Sequence, residues 1–470
     1  MPMGNARTWA VEEDAGLMTP ICRIGAGAGF AGDRVDPAVA LAASGQVDSI
    51  ALECLAERTL VAALNARRMH PDGGADPRLR RRLTPLIPVA ADHGCRIISN
   101  LGAANPAAAA RATAALAGEL GRPGLRVAAL LGDDVAHLVE QTAWDHPIEG
   151  RLLGAHAYLG SDGMAEALSA GADIVLAGRV ADSALFAAPV LAASMRAASP
   201  APTSGGAAWD ADQPLLAGAL TVGHLLECTG QLTGGNFEPP GGGGLDAAAL
   251  AGLGYPLAHV MPDGSAELSL LEQAPGWLDS MTCTLQLLYE VHDPARYITP
   301  DAVLDFTGIR FEQIGRNRVR MTGARVAGRP ETLKVIAFVE RHGVIADVEI
   351  GFAGHGAMTR AQCAADVLRL RLQGWAEVDL TIDLVGVNSI LGAASAPANA
   401  APPELRVHVS ARCEDAAMAQ EIEDEVYALT LSGPAGGAGV RSERRPRIET
   451  VSGLVPRELV PWSLVWETSR

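Results

Sequence analysis

Six predicted β-strands in the first half of the chain are each followed directly by side chains that can bind a ligand through hydrogen bonds or ion pairs, or transfer a proton. In strand order these residues are Asp33 and Arg34, Glu53 and Glu57, Asn100 and Asn105, Asp133 and Asp134, His156 and Tyr158, and Arg179 and Asp182. Because the carboxyl ends of parallel strands meet at one edge of a sheet, where ligands bind, we expect these side chains to line a common site. The alternative for Asp133, Asp134 and Asp182 is that each caps the helix that follows it.

These residue types suit proton transfer next to a carboxylate or a carbonyl group. A carboxyl in an apolar cleft has a raised pKa and can act as a general base, a role that we expect for Glu53 or Asp33. Arg34 and Arg179 could hold a carboxylate or phosphate through paired N–H groups; alternatively they form structural ion pairs with Asp33 and Asp182. The catalytic candidates are thus Asp33, Glu53, Arg179 and Asp182, and the candidate substrate ligands at the strand ends are Arg34, Asn100, Asn105, His156 and Tyr158.

A second glycine-rich stretch, residues 227–237, combines hydroxyl and amide side chains with backbone freedom. Such a loop can offer its N–H groups to an oxyanion, as the substrate of a carboxylate- or thioester-directed enzyme would require. The further substrate-binding candidates are therefore Glu227, Gly234, Gly235 and Asn236. The alternative is that this stretch is a tight turn between two domains.

The glycine-rich stretch after the first predicted strand matches a dinucleotide-binding pattern. Gly27, Gly29 and Gly32 have the required spacing, and Glu53 lies about where the pattern places its ribose-binding acid. However, Asp33 would repel a pyrophosphate at the start of the next helix. An NAD-dependent enzyme is therefore the weaker alternative, and the stronger one is that these glycines bring the backbone close to a substrate.

An alternation of strands and helices must position these residues. Short apolar segments predict strands at Cys22–Gly25, Ser49–Leu52, Arg96–Ser99, Arg126–Leu130, Arg151–Ala155 and Asp173–Ala177. Helices are predicted between them at Pro37–Ser44, Thr59–Arg68, Leu79–Asp92, Pro106–Glu119 and Met164–Ser169. This order favours an α/β fold with a parallel sheet.

The pattern changes in the second half of the chain. Alternating segments such as Arg318–Thr322 and Val335–Val339 predict an antiparallel sheet, and helices are predicted at Arg360–Leu372 and Ala416–Leu429. The predicted layout is a flexible tail at 1–20, a parallel α/β domain at 21–245 and a smaller α+β domain at 246–470. The break is placed at the glycine- and proline-rich stretch 239–244.

Composition narrows the class of protein. The net charge of −17 and the shortage of basic clusters argue against a nucleic-acid partner, and no apolar run reaches the length of about 18 residues that a membrane span needs. Seven cysteines stand singly, as reduced cytoplasmic thiols do. No spacing of ligands indicates a metal site, and His224 and His259 are expected to be structural.

Several motifs together resemble the acyclic terpene utilisation (AtuA-type) family. They read RIGAGAGFAGDR at 23–34, GRVADSAL at 178–185, ECTGQLTGGNF at 227–237, LLYEVHDPARYITPDAVLDF at 287–306 and TLK at 332–334. Two positions depart from the family pattern. Residues 100–103 read Asn-Leu-Gly-Ala where the family usually has Asn-Ala-Gly-Gly, and His156 stands where it usually has Asn, which puts a histidine-based mechanism in doubt.

The resemblance implies a role in degrading citronellol- and geraniol-type terpenes through branched acyl-CoA intermediates. It implies a lyase or hydratase step on such a thioester and a small ferredoxin-fold partner protein. We expect no cofactor of the protein's own, with CoA as a possible part of the substrate. A homo-oligomer is also expected. The alternative from another class is a non-catalytic assembly or binding subunit for neighbouring acyl-CoA enzymes.

Overall fold

The computed structural model describes residues 19–197, 213–375, 379–392 and 402–470 of the chain. Two compact units are present. The large unit takes the chain up to Trp144, together with Gly154–Ile336 and Ser452–Arg470, and the small unit takes Asp145–Leu153 and Ala337–Val451. Residues 1–18 of the predicted tail and most of an alanine- and proline-rich segment after Gly392 lie outside the described residues.

The described chain contains both helices and strands throughout. The strands are β1 (Cys22–Gly29), β2 (Ser49–Glu53), β3 (Arg96–Ser99), β4 (Arg126–Leu131), β5 (Ala143–Trp144), β6 (Arg151–Ala157), β7 (Ile174–Leu176), β8 (Leu257–Val260), β9 (Ala266–Ser269), β10 (Tyr297–Ile298), β11 (Val303–Asp305), β12 (Arg310–Gly315), β13 (Arg318–Thr322), β14 (Arg325–Gly328), β15 (Thr332–Ala353), β16 (Asp379–Val385), β17 (Glu404–Cys413), β18 (Ala438–Pro456) and β19 (Ser463–Thr468). The α-helices are α1 (Asp36–Ala43), α2 (Glu57–Met69), α3 (Leu79–Asp92), α4 (Pro106–Glu119), α5 (Asp162–Ser169), α6 (Asp182–Ala197), α7 (Gln213–Leu226), α8 (Ala247–Ala251), α9 (Ser280–Leu288), α10 (Ala357–Arg371) and α11 (Ala416–Ser432). None of these helices is long and apolar enough to cross a membrane.

A mixed sheet of ten strands forms the centre of the large unit, in the order β12-β13-β9-β8-β1-β2-β3-β7-β4-β19. Its five central strands, β1, β2, β3, β7 and β4, run parallel, and the neighbours on both sides run antiparallel. The parallel strands are apolar on both faces because helices cover them, and this is why their sequences are continuously apolar. Five of the six predicted strands, and the α/β fold class, are confirmed.

The sixth predicted strand, Arg151–Ala155, forms but joins a different sheet. It lies within β6, which pairs with β15 and not with the parallel strands. The partner is nearly 200 residues further along the chain, so local sequence pattern carries no information about this pairing. The prediction that this segment belongs to the parallel sheet was wrong.

Helix α4 begins where the sequence supplies helix-starting residues. Pro106 lies in the first turn of α4, and the Asn105 side chain caps that helix by accepting a hydrogen bond from the Ala108 N–H at 3.2 Å. The five predicted helices of this region are present as α1–α5, with ends that differ by at most two residues. The Asn105 side chain also donates to the carbonyls of Pro71 and Gly73, so its polar atoms are used within the fold.

The sheet of the large unit extends past the predicted domain boundary at 245/246. Strands β8, β9, β13 and β12, from the second half of the chain, continue the parallel strands as an antiparallel edge. A separate three-stranded sheet, β10-β11-β14, belongs to the same unit. The boundary expected at 245/246 therefore falls inside the large unit.

The small unit is an antiparallel sheet covered by two helices. Its strands follow the order β16-β17-β15-β18, and β17 pairs with both β15 and β16. Side chains from α10 and α11 pack on this sheet in one apolar core, which includes Val348, Ile350, Ala361, Leu368 and Val426. The predicted helices Arg360–Leu372 and Ala416–Leu429 are confirmed within this unit.

Two of the three glycines of the dinucleotide-like pattern are strand residues, and the third, Gly32, lies in the turn that follows β1. Both Gly27 and Gly29 lie within β1, and α1 begins only at Asp36. A Cβ atom on Gly29 would lie 2.2 Å from the carbonyl oxygen of Glu227, so glycine here lets the end of β1 pass very close to the backbone of residues 227–228. Gly27 and Gly29 therefore do not belong to the strand-to-helix turn that a dinucleotide-binding site requires.

The turn after β1 uses its own polar groups internally. The Gly29 N–H donates to a carboxylate oxygen of Asp33 at 2.8 Å, and the same oxygen accepts from the Thr229 hydroxyl at 3.1 Å. The buried guanidinium of Arg82 donates to the carbonyls of Phe30, Ala31 and Asp33. Asp33 thereby ties the turn after β1 to the segment that carries Glu227.

Candidate active site

A cavity of about 860 Å³ lies within the large unit where the strands β1, β2 and β7 end. Its wall contains Gly29 and Phe30 from the end of β1, Glu53 from β2 and the segment Arg179–Ser183 that follows β7. The remaining wall comes from Leu55–Glu57, Tyr158, Glu227, Cys228 and Leu454, and from residues within 289–303 and 329–334. This location is the one expected for a ligand site in a parallel sheet, and the volume suits a small organic molecule.

Glu53 is the last residue of β2, and its side chain is held rigidly. One carboxyl oxygen accepts hydrogen bonds from the Leu55 N–H at 2.8 Å and from the Asn100 side-chain amide at 2.9 Å. Burial raises the pKa of Glu53 to about 8, with a further contribution from the Asp182 charge and an opposing one from Arg179. Burial therefore favours the protonated form of Glu53, and its carboxyl lines the cavity.

Asn100 orients Glu53 from behind. Its side-chain oxygen accepts from the Cys54 N–H at 2.7 Å while its amide donates to Glu53, and the residue is fully buried. Asn100 is not among the residues that line the cavity. It follows that Asn100 positions the acid and would not contact a ligand.

Arg179 is buried, and most of its N–H groups donate hydrogen bonds to other groups of the protein. Its guanidinium donates to the carbonyls of Leu55 and Val180 and to the carboxylate of Asp182. Four of its five N–H groups are used in this way, so one N–H of Nη1 is available to a ligand. The guanidinium carbon also lies 4.6 Å from the ring centroid of Tyr158, as in a cation–π contact.

His156 supports Arg179 through an intermediate carboxylate. A carboxylate oxygen of Asp133 accepts from the Arg179 backbone N–H at 2.8 Å and lies 2.9 Å from Nδ1 of His156. His156 is buried, and neither it nor Asp133 lines the cavity. His156 thus acts on the backbone of Arg179 through Asp133.

Glu227 forms a hydrogen-bonded group with His224 and Tyr297. A Glu227 carboxyl oxygen lies 2.9 Å from Nδ1 of His224, and the Tyr297 hydroxyl lies 3.3 Å from the same nitrogen. Nε2 of His224 donates to the Leu287 carbonyl at 3.1 Å, so the proton between the other nitrogen and Glu227 is shared by that pair.

Burial and pairing set the titration of this group. Burial raises the pKa of Glu227 to about 7, against the opposing effect of His224. Burial lowers the pKa of His224, but the neighbouring Glu227 carboxylate outweighs it and the net direction is upward. Glu227 and Tyr297 line the cavity, whereas His224 lies behind them. The sequence analysis interpreted His224 as structural; its i, i+3 spacing to Glu227 at the end of α7 was the signal that could have indicated this contact.

The structure brings six of the side chains expected at the site into the cavity wall. These are Glu53, Glu57, Tyr158, Arg179, Asp182 and Glu227. The Tyr158 hydroxyl donates to Glu57 at 3.2 Å, and desolvation within the cavity raises the pKa of Asp182 beside Arg179. The predicted convergence of charged residues from separate strand ends therefore occurs for this subset.

The other predicted site residues lie outside the cavity wall. Arg34 forms an ion pair with Asp36 and donates to the Leu253 carbonyl, and Asp33 and Asn105 have the structural contacts described above. Gly234, Gly235 and Asn236 belong to a turn whose N–H groups largely donate within it, such as the Gly235 N–H to the Gly230 carbonyl at 2.8 Å. An oxyanion role for that turn stays a prediction, and it would need those hydrogen bonds to change.

Lys334 is a cavity residue that the sequence analysis missed as a site candidate. It lies in β15, among alternating apolar residues that indicate a simple strand, and its side chain lines the cavity. A signal was present in the composition, because Lys334 is the single lysine among 37 lysine and arginine residues. Among the described residues, no group of three or more histidines, cysteines and acids could hold a metal ion.

The fold and the cavity define an α/β protein with a candidate ligand site at the carboxyl ends of its parallel strands. Residues 22–466 match the family described as acyclic terpene utilisation family protein AtuA. The chain therefore belongs to the AtuA family, as its motifs indicated. Searches of curated proteins and of solved structures gave no match.

Proposed function

We propose that the cavity catalyses proton transfer together with elimination or addition at a branched carboxylate or acyl thioester from an acyclic terpene. The observation that supports this most is Glu53, a carboxylic acid that lines the cavity and has its pKa raised by burial to about 8. A protein that only binds a ligand has no need to hold a buried acid protonated at neutral pH. Acids of this kind are typical of general acid catalysis.

The two perturbed carboxyls suit the two proton transfers of a hydro-lyase reaction. Glu227, which shares a proton with His224, would take the proton from the carbon next to the substrate carbonyl. Glu53 would donate its proton to the departing hydroxyl group, which leaves as water. In the reverse direction the same two groups add water across a double bond.

Arg179 and Tyr158 would hold the substrate carboxylate or thioester carbonyl. The free N–H of Arg179 is fixed in direction because the rest of its guanidinium is bound to Leu55, Val180 and Asp182. Asp182 in this proposal orients Arg179. A donor that is already oriented loses little entropy when the substrate binds.

The charges of the cavity wall bear on whether the substrate is a CoA thioester. Six carboxyl residues and four cationic residues line it. A wall with an excess of acids does not suit the phosphates of CoA, so in this proposal only the acyl part enters and the nucleotide part stays outside.

The alternative is a non-catalytic assembly or binding subunit. The observation that favours it is the ion pairing of Arg34 with Asp36 and of Arg179 with Asp182, which leaves few free cationic donors. This alternative gives no reason for the protonated Glu53 at a cavity wall. A small ferredoxin-fold partner protein remains a prediction under either reading.

We expect the protein to exchange substrate protons with solvent. Citronellate, geranate and their CoA thioesters would be incubated with the protein in D₂O, and NMR would follow deuterium entry at the carbons next to the carbonyl group and conjugated with it. The rate should exceed that of a boiled sample and should be unchanged in E119Q, which alters an exposed carboxylate on α4. Binding of these compounds without any exchange would favour the non-catalytic alternative.

A further inference from the structure

Lys334 is chemically unique in this chain. Of the 37 lysine and arginine residues in the sequence, it is the one lysine, and its side chain lines the cavity that contains Glu53. At every other cationic position the chain uses arginine. If position 334 required only a positive charge, arginine would be the expected residue there too.

Lysine and arginine differ in whether they can act as a nucleophile. A guanidinium stays protonated in proteins, and it binds carboxylates and phosphates at least as well as an ammonium group does. An amine can lose its proton and attack a carbonyl carbon, and this is the reaction that a guanidinium cannot perform. The choice of lysine at this one position therefore indicates a need for an amine.

The surroundings of Lys334 leave its nitrogen open to a ligand. None of the ion pairs among the described residues includes Lys334, although the Asp182 carboxylate is near enough for the two charges to interact. Its Nζ lies 5.1 Å from the ring centroid of Tyr158, which the Arg179 guanidinium also contacts at 4.6 Å. The Tyr158 N–H donates to the Lys334 carbonyl at 2.8 Å, so the two residues are fixed side by side.

We propose that Lys334 forms a Schiff base with a substrate that carries a ketone or aldehyde group in addition to its carboxylate or thioester, and that the amine bonds to that carbonyl carbon. This inference rests on the proposed function, because it uses the same cavity and the same acid. The amine nitrogen bonds to the carbonyl carbon, and the C–O bond then breaks as water leaves. In total, one ammonium group and one carbonyl group give one protonated imine and one water molecule.

The cavity supplies the acid that this reaction needs. Loss of water from the first adduct requires a proton donor for the departing hydroxyl, and Glu53 lines the same cavity as a protonated carboxyl. The protonated imine withdraws electrons from the adjacent carbon. Removal of a proton there by Glu227, or cleavage of a bond to that carbon, then becomes easier than in the free carbonyl compound.

The test uses reductive trapping on the full chain with the keto acid 4-oxopentanoate and sodium cyanoborohydride. Mass spectrometry of peptides taken at successive times would show which residue carries the adduct and how fast it forms. The added mass is that of the probe less one oxygen atom. R81K supplies an ordinary reference amine in the same molecule, because Arg81 is exposed on α3 and has no ion pair with the described residues. We expect labelling at Lys334 to be about a hundredfold faster than at the R81K amine, as acid catalysis by a positioned group allows.

Further variants separate this inference from the proposed function. E53Q should slow labelling at Lys334 towards that of the reference amine, and K334R should give no adduct at that position. Equal labelling at the two amines, or none at Lys334, overturns the Schiff base. If the Schiff base is overturned but the protein still exchanges substrate protons with D₂O, the proposed function stands. If an adduct forms at Lys334 but no exchange occurs, the Schiff base is supported and the proposed proton transfer is rejected.

Discussion

E53Q should lower the rate of deuterium exchange by a factor of about 10²–10⁴, the usual contribution of a positioned general acid or base. Glutamine keeps the size of the side chain and an oxygen that can accept from the Leu55 N–H and the Asn100 amide. It cannot give up or receive a proton in the reaction. The fold and the binding of substrate should therefore remain while the chemical step is lost.

The measurement separates binding from turnover. Deuterium incorporation by NMR gives the exchange rate, and calorimetric titration with the same compound gives the dissociation constant. The dissociation constant should change little in E53Q, and E119Q should match the wild type in both measurements. Exchange at the wild-type rate in folded E53Q would show that Glu53 does not carry the proton.

The same substitution should stabilise the protein at alkaline pH. The pKa of Glu53 is about 8 in the folded chain against an ordinary value of 4.5, so between these values the folded state binds more protons than the unfolded state. The contribution of Glu53 to the free energy of unfolding therefore falls as pH rises through this window, by about 1.4 kcal/mol per pH unit, and is constant above pH 8. E53Q removes this loss because glutamine does not ionise.

Urea unfolding of the wild type and E53Q at pH 6, 7, 8 and 9 would measure the effect. The difference in unfolding free energy should favour E53Q increasingly up to about pH 8 and then level off. E119Q is the matched control, because the Arg80 ion pair lowers the pKa of Glu119 and its titration lies below this range. A constant difference between the wild type and E53Q across the series would show that Glu53 is already ionised at pH 6.

The sequence predicted the part of the site that depends on local pattern. Strand β2 is a short apolar segment, and Glu53 follows its apolar core directly, so strand and acid could be assigned together. Arg179, Asp182 and Tyr158 were found for the same reason, because each follows a recognisable strand. The carboxyl-end rule for parallel sheets then placed Glu53, Arg179 and Asp182 in one site, whereas Tyr158 was placed there through the wrong assignment of β6 to the parallel sheet.

The parts that could not be predicted depend on contacts between distant segments. The close packing of Gly29 against the Glu227 backbone, nearly 200 residues away, explains glycines that suggested a dinucleotide site. The Arg34 prediction was wrong for a different reason, because its partner Asp36 is only two residues away and the pair lies outside the cavity wall. Lys334 was missed because an isolated cationic residue in a strand has the same sequence signature whether it faces solvent or a ligand.

The protonation state of Glu53 is the property on which the proposed function depends most. Infrared difference spectra between the wild type and E53Q, recorded from pH 6 to pH 10, would report it directly through the C=O stretch of a protonated carboxyl group. We expect a band at pH 7 that is absent in E53Q and disappears in the wild type with a midpoint near pH 8. A difference spectrum that shows Glu53 as a carboxylate throughout this range would contradict the proposal that it serves as the acid of the cavity.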